Sequence, residues 1–510
     1  MVKKNNSLWF PPLQTSMSYS QCMQALSDED VFRGLLGYGL FAENIPNIFS
    51  SIAFMEFCEK MKPTFHKEGV DYIRYESIRN TNIVRMMGVP NPFAYFDLCT
   101  EIKKNWGKIQ QHFYTQTINH SYKVSRIHVR KQQGTLKIFS MGYKPWILDD
   151  DPKPDLRIGA RIVVHADISS FFPSICTHAI PWALEGKPDA KEKKVKWIHQ
   201  LDLAVSRVKY GETNGILIGP HASHIISEII LTKVDNILMD SYSYQRNIDD
   251  YLAYVQSYDA AEQFIFDLRS ELKKYDLLLN DKKTKVIYLP ESIETEWTNR
   301  LKYETPVGVD DVLSYRDVQR FLDLVLSLMK NNNDDSAILK YALKILHKKK
   351  FNKGANICAQ KFFLQMAVIY PYLYPYLDSL VFDTFRVDSV IIEAWCNEHF
   401  CYHYDRGNYE AIAYMLYYAI KYNFNIVDFS VEKLTNCPDC IVKTIGSLYF
   451  YKKFPRYKNI KRTIYDHAIH FYEIQEIANQ FWLFWYTVLN ENDLAIEWKQ
   501  IKKHKISFVA

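Results

Sequence analysis

One stretch, residues 162–175 (IVVHADISSFFPSI), limits the possible folds more than any other. Its three β-branched aliphatics, Ile162, Val163 and Val164, predict a buried strand. The strand ends on one carboxylate, Asp167. Two serines and two phenylalanines follow, and Pro173 forces a turn. An acid at a strand end can hold a divalent cation. An aromatic five residues on, Phe172, can pack under a sugar ring. Acids also end strands in many α/β proteins without such a role, so the rest of the chain has to decide.

With 510 residues, 48% of them hydrophobic, the chain has material for two to four domains and is not globally disordered. Its formal charge of +5 is too small for a nucleic-acid clamp over the whole surface, so any such contact should be local. The 36 tyrosines serve packing, or supply phenolic hydroxyls and base-stacking faces. The nine cysteines are odd in number and scattered, which fits reduced thiols in a cytosolic protein. Cys437 and Cys440 have redox or zinc spacing, but no second pair accompanies them and structural zinc takes four ligands. The polar N-terminus shows no secretory signal. No run of about 18 apolar residues predicts a membrane span.

In chain order, residues 1–100 read as mainly helical, with a break at Asn91 between two prolines. Residues 121–140 predict a basic hairpin, with Val124, Ile127 and Val129 on one arm, a turn at 132–134 and a return over 136–139. It would present Arg126, Arg130 and Lys131, either as solvated edge charges or as cations over a triphosphate. Residues 214–231 predict a glycine turn before an apolar helix, with Gly215 and Gly219 allowing close backbone approach and Ile225, Ile226, Ile229 and Ile230 forming a stripe. Residues 244–255 predict a hairpin with Asp249 and Asp250 at its tip, one facing the site and the other at its rim. Residues 277–290 add Asn280, a lysine pair ending at Lys283, and a further strand. That lysine either assists pyrophosphate departure or is an ordinary surface residue. Beyond residue 300 the pattern is helical. Val318, Phe321, Leu322, Val325, Leu326 and Met329 share one face, and similar patches suggest an irregular solenoid of helix pairs. Residues 449–462 interleave aromatics with six basic residues, as a single-strand contact or a solvated helix flank would.

This order of basic segment, strand-end acid, glycine turn, Asp249–Asp250 pair and Asn280–Lys283 run resembles the fingers and palm of reverse transcriptases. The wording ADISSFFPSI…HAIPWAL, with IGPHAS after it, is similar to the abortive-infection (Abi) reverse transcriptases of bacteria, above all those of P2-like prophages. The resemblance implies an α+β chain. A reverse-transcriptase fingers–palm part would occupy residues 1–300. An all-α, HEAT-like helical-repeat domain would occupy residues 301–510, with no thumb. It implies catalytic roles for Asp167, Asp249 and Asp250, and a metal set of Asp167, Ile168 and Asp249 holding Mg2+ or Mn2+. It assigns nucleotide contacts to Phe172, Arg130, Lys131, Gly219 and Lys283, with Phe172 as the gate that selects deoxynucleotides. It implies a homo-oligomer of the bacterial cytoplasm, away from membranes, that builds single-stranded DNA without a template on a hydroxyl of the protein itself, in defence against phage. Which hydroxyl primes is left open by so many tyrosines, serines and threonines.

Two positions depart from the reverse-transcriptase pattern. Asn247 stands where the YxDD motif has tyrosine. Ile218 stands where templated enzymes carry glutamine, and it cannot hydrogen-bond a base or sugar. The modest charge points the same way, because gripping a duplex takes phosphate-neutralising cations. Two other functions fit the same residues: an RNA-templated reverse transcriptase, and a non-catalytic helical scaffold with a relic palm, which Asn247 motivates.

Overall fold

Alternation decides the first strands. Ile73, Tyr75 and Ser77 are buried while Arg74 and Glu76 are exposed, the period of a strand with one covered face. This segment is β1 (Ile73–Arg79), paired antiparallel with β2 (Ile83–Val89). The mainly helical expectation for residues 1–100 holds for Tyr19–Gln24, Asp28–Tyr38, Ile52–Met61 and the helix that starts at Pro92, and this hairpin is the exception to it. The computed structural model describes residues 17–79, 83–132, 134–139, 151–192, 195–292 and 294–509. Asn91 marks the predicted break: its side chain accepts from the Phe93 N–H at 2.9 Å and caps the Pro92–Lys104 helix.

The aliphatic run forms β3 (Ile162–Asp167) and holds an inner position in an antiparallel sheet. Its partners are β5 (Asp250–Val255) on one edge and β6 (Lys285–Tyr288) on the other, with β4 (Ser243–Asn247) outside β5. Both faces of β3 are covered. Ile162, Val164 and Ala166 enter the main core, and Val163 meets Leu156 and Tyr254 on the far side. The Ala222–Leu238 helix buries Ile225, Ile226, Ile229 and Ile230 as its stripe predicts, and the Tyr258–Lys273 helix packs on β3 and β5.

The basic hairpin is not formed among the described residues of 121–139. Its first arm bonds to β4 instead: Arg126 N–H donates to the Arg246 carbonyl and Arg246 N–H to the Val124 carbonyl, both at 2.8 Å. The second arm touches the first through Arg130 N–H to the Ile138 carbonyl at 2.8 Å. Its apolar residues turn inward, with Phe139 stacked on His224 at 3.8 Å and Ile138 buried. The β-branched residues sit in the core but not in a ladder of their own.

From Tyr315 onward helices dominate, as expected, with one addition: a two-residue parallel pairing of β7 (Val312–Leu313) with β8 (Lys350–Phe351). The Tyr315–Asn331 helix buries Val318, Phe321, Leu322, Val325 and Met329. Leu326 is exposed and Leu328 is buried in its stead. The whole is a helix-dominated α+β chain. One hydrophobic cluster runs from Tyr19 to Phe508. Trp498 packs on Phe93 at 4.4 Å and Phe508 on Phe54 at 5.5 Å, contacts worth about 0.5–1.5 kcal/mol each beyond their buried area. Among the described residues no helix is long and apolar enough to cross a membrane.

Candidate active site

Register brings the acids together. Asp167 lies directly opposite Asp250 in the β3–β5 ladder, and directly opposed residues share a face. Asp249 sits in the turn just before β5, and its carbonyl accepts the Ile168 N–H at 3.2 Å. Burial first, then Asp250 and Asp167, push the Asp249 carboxyl up to about 6. Asp250 is exposed at the rim, yet it too is pushed up, by desolvation and then by Asp167. Asp250 is the more exposed of the two, yet it is the one that the ladder sets directly across from Asp167, so exposure alone does not divide them into a facing and a rim aspartate; the Asp167 charge raises both. On its other side Asp167 meets the segment that leads into β6. Asn280 N–H donates to its carbonyl at 2.7 Å and Asn280 Nδ2 to its carboxylate at 3.2 Å. Lys283 Nζ pairs with Asp167 Oδ2 at 2.8 Å, so this lysine comes to the carboxylates.

Two cations that the sequence reading missed lie within electrostatic reach of these acids. Arg79 ends β1, and Arg85 lies opposite Ser77 on β2, which puts both on the face of Ser77. The charges of Asp249 and Asp250 act on Arg79, and that of Asp249 on Arg85. Burial, then the neighbouring Arg79, lowers Arg85 to about 10. Neither guanidinium forms an ion pair with a described carboxylate. The sequence signal was their placement near the tip of two alternating segments. The expected cations have contacts elsewhere. Arg130 Nη2 donates to the Arg126 carbonyl at 2.9 Å and Lys131 Nζ reaches Asp30 at 3.4 Å.

The glycine turn joins the two sheets. Gly215 takes φ 80°, and a Cβ there would meet the Pro173 carbonyl oxygen at 2.6 Å. Ile216 N–H donates to the Phe172 carbonyl and Gly215 N–H to the Ile175 carbonyl, both at 2.9 Å. Three residues later the Ile218 carbonyl accepts Gly88 N–H from β2 at 2.9 Å, and Gly219 takes φ 128° with its Cα against the Gly88 carbonyl. Phe172, partly buried, sets its ring edge-to-face on His224 at 5.2 Å, and burial lowers that imidazole to about 3, so it is neutral.

The turn bearing Asp249 rests on a buried ionic network. Arg246, fully buried, pairs with Glu228 and with Asp235, each at 2.7 Å. Tyr19 donates to Glu228 at 2.8 Å and Tyr244 to Asp235 at 2.9 Å. Two acids seven residues apart on the buried face of the Ala222–Leu238 helix were the legible sign of a buried cation. The Asn247 Oδ1 atom is buried with no hydrogen-bond partner.

As for a metal, Asp167 and Asp249 offer carboxylate oxygens, and Ile168 could offer only its carbonyl. Such an all-oxygen set suits Mg2+ or Mn2+. Among the described residues no group of three or more His, Cys, Asp and Glu side chains is gathered as a metal cage. Mg2+ ordinarily takes one or two carboxylates and completes its shell with water and phosphate, so the donors present fit it. Elsewhere, the 449–462 stretch divides. Tyr449 and Phe450 are core residues, while Tyr457 is exposed among Arg456, Lys458, Lys461 and Arg462, so only the second half of the stretch sets an aromatic beside its cations. Between Cys437 and Cys440, Asp439 caps the Cys440–Lys453 helix, accepting the Val442 N–H at 2.8 Å, and burial pushes both thiols up to about 12.

No family model matches the chain, and no curated protein sequence matches it. Among solved structures it is similar to apo telomerase from Candida tropicalis, at 10% identity over 80% of this chain and 71% of that one, with a TM-score of 0.32. A form of that enzyme truncated from its C-terminal domain gives 13% identity over 47% of this chain and 54% of that one, with a TM-score of 0.30. Telomerase from Candida albicans in complex with a fragment of telomeric RNA gives 10% identity over 84% of this chain and 69% of that one, at 0.27. Likenesses this distant carry no functional argument, so the reading rests on the site.

Proposed function

We propose that the chain is a metal-dependent nucleotidyltransferase of the reverse-transcriptase type that adds deoxynucleotides to a hydroxyl. One observation carries this: Asp167 at the end of β3, Asp249 in the turn and Asp250 at the start of β5 lie together, with Arg79 and Arg85 of β1 and β2 within electrostatic reach of Asp249. The carboxylates suit divalent cations, and the guanidinium groups suit phosphate oxygens. A nucleoside triphosphate with its metal engages both. When bound, the divalent ions activate the attacking hydroxyl and hold the triphosphate.

The remaining work falls to the chain. Asp167 and Asp249, with the Ile168 carbonyl, hold the ions, and Asp250 adds negative charge at the rim. Arg79 and Arg85 orient the triphosphate, the task the sequence reading gives to Arg130 and Lys131. Lys283 offsets charge on the departing pyrophosphate. Phe172 lies beneath the sugar and leaves no room for a 2′-hydroxyl, while Gly219 lets the backbone border the nucleotide.

The finer reading is protein-primed, untemplated synthesis of single-stranded DNA by a homo-oligomer of the bacterial cytoplasm, in abortive-infection defence. It rests on the resemblance to Abi reverse transcriptases and on Ile218. Purified protein given Mg2+ or Mn2+ and labelled deoxynucleotides should carry a DNA adduct, absent in Asp249→Ala. Mass spectrometry after nuclease digestion should locate the priming hydroxyl. A product whose sequence follows an added RNA would make the enzyme a templated one instead. No incorporation with either metal would sink the enzymatic reading.

A further inference from the structure

The β1–β2 hairpin that carries Arg79 and Arg85 is anchored from the far half of the chain. Glu410, near the start of the Tyr409–Lys421 helix, is buried. Its Oε2 accepts the Ile78 backbone N–H at 2.8 Å, and its Oε1 accepts Ser77 Oγ at 3.0 Å. Ser77 lies directly opposite Arg85, and Ile78 immediately precedes Arg79. The two bonds therefore fall at the base of the arginine pair. Asn44 Nδ2 donates to the same Ser77 hydroxyl, and Tyr414, one turn after Glu410, donates to the Asn44 carbonyl at 3.1 Å. These bonds are buried, and a donor left there without its acceptor carries its full desolvation penalty.

Nothing about burial alone calls for a carboxylate at this point. An isolated two-stranded hairpin is marginal in water, and the outer half of β2 is weakly held: Ile83, Val84 and Met86 are exposed. Arginines on such an arm would sample many positions. Orienting a triphosphate needs them within a fraction of an ångström of one geometry.

We propose that Glu410 is a positioning residue. By binding Ile78 N–H and Ser77 Oγ it holds the β1–β2 hairpin so that Arg79 and Arg85 stay near Asp249, which makes nucleotide binding depend on the helical half of the chain. The role rests on the nucleotidyltransferase reading; the anchoring itself does not. Glu410 touches no reacting atom, so its loss acts on nucleotide affinity before it acts on the chemical step.

Two measurements on the full-length protein test this. Glu410→Ala should raise the KM for deoxynucleotide about 10-fold while kcat changes less than about 3-fold. Glu410→Gln, which keeps an oxygen for Ile78 N–H, should recover most of that loss, and Ser77→Ala should give a smaller rise. Equal losses of kcat in the alanine and glutamine variants, or an unchanged KM in both, would overturn the proposal. Independently of activity, hydrogen exchange over residues 73–89 should quicken about 10-fold in Glu410→Ala at temperatures where the protein stays folded. Unchanged protection there would also overturn it. If the wild type incorporates no nucleotide with any metal, the nucleotidyltransferase reading falls, and the exchange measurement still decides whether Glu410 anchors the hairpin.

Discussion

Arg246 Nη1 donates to the Ile248 carbonyl at 2.9 Å, and this bond fixes the turn that presents Asp249. Ile248 needs fixing. It takes φ 59° at the first position of a two-residue turn, where glycine is the favoured residue and a β-branched side chain is strained. Such strain, on the order of 1–3 kcal/mol, persists only where the surroundings over-determine it. Glu228, Asp235 and the buried guanidinium do so here.

Arg246→Met should therefore cost about 3–5 kcal/mol, because it leaves two buried carboxylates without their cation. Urea unfolding with unchanged slope and a lower midpoint is the expected result. The triple variant Arg246→Met, Glu228→Leu and Asp235→Leu should regain part of that stability, since an apolar cluster no longer has charges to desolvate. It should remain impaired in nucleotide incorporation, because the Ile248 carbonyl has lost its donor. A triple variant with wild-type activity would show that the network serves stability alone.

What could be read in the sequence follows the range of the forces involved. β3 was legible because its apolar run and terminal acid are local, and so were the glycine turn and the Ala222–Leu238 stripe. Asp249 and Asp250 were legible as turn residues, and their meeting with Asp167 follows from a ladder register that the paired acids suggested. The basic segment misled because Val124, Ile127 and Val129 satisfy both a hairpin and an irregular arm bonded to β4, and only tertiary pairing separates the two. Arg79 and Arg85 were passed over because their one local mark, a place near the tip of two alternating segments, does not say what they face; their meaning arises from where the Ile218–Gly88 bond places the hairpin. Glu410 lies more than three hundred residues from Ile78, and no local pattern can announce such a contact.

Lys283 distinguishes a catalytic from a structural cation. Its side chain is 67% exposed, so its pair with Asp167 contributes at most about 1 kcal/mol to stability. Lys283→Ala should leave the melting temperature nearly unchanged. If the lysine offsets charge on pyrophosphate, the same change should lower kcat by about 10- to 100-fold. Glutamine there should be as poor as alanine and arginine partly effective. A Lys283→Ala enzyme with full kcat would return this residue to the surface role that the sequence equally allowed.

Phe172 is tested through selectivity. Its ring is held edge-on by His224, itself stacked under Phe139, so the aromatic wall is pre-formed. Phe172→Ala should admit ribonucleotides. The ratio of kcat/KM for deoxy- over ribonucleotide should fall on the order of 100-fold, chiefly through better ribonucleotide use. The fold should tolerate the change because the ring is only partly buried. Loss of deoxynucleotide incorporation with no gain for ribonucleotides would instead mean that Phe172 supports the β3 loop and does not face the sugar.

Glu410 gives a pH signature separate from catalysis. Burial raises its carboxyl from 4.5 to about 7, against the lowering effect of Ile78 N–H, Ser77 and Asn44, and Asp439 at the head of the Cys440–Lys453 helix adds to the rise. Burial also pushes Asp439 up, to about 6. Between about pH 4.5 and 7 the folded chain therefore keeps a proton on Glu410 that the unfolded chain has released. The resulting contribution is full below about pH 4.5 and is lost as pH rises through about 7. Glu410→Gln cannot take part. Urea unfolding at pH 5 and pH 7.5 should show the wild type losing about 2 kcal/mol more than the glutamine variant over that interval. Asp439 should leave a smaller residual slope in both proteins. Parallel losses in the two would mean that Glu410 stays ionised throughout, its bonds to the hairpin outweighing the cost of burial.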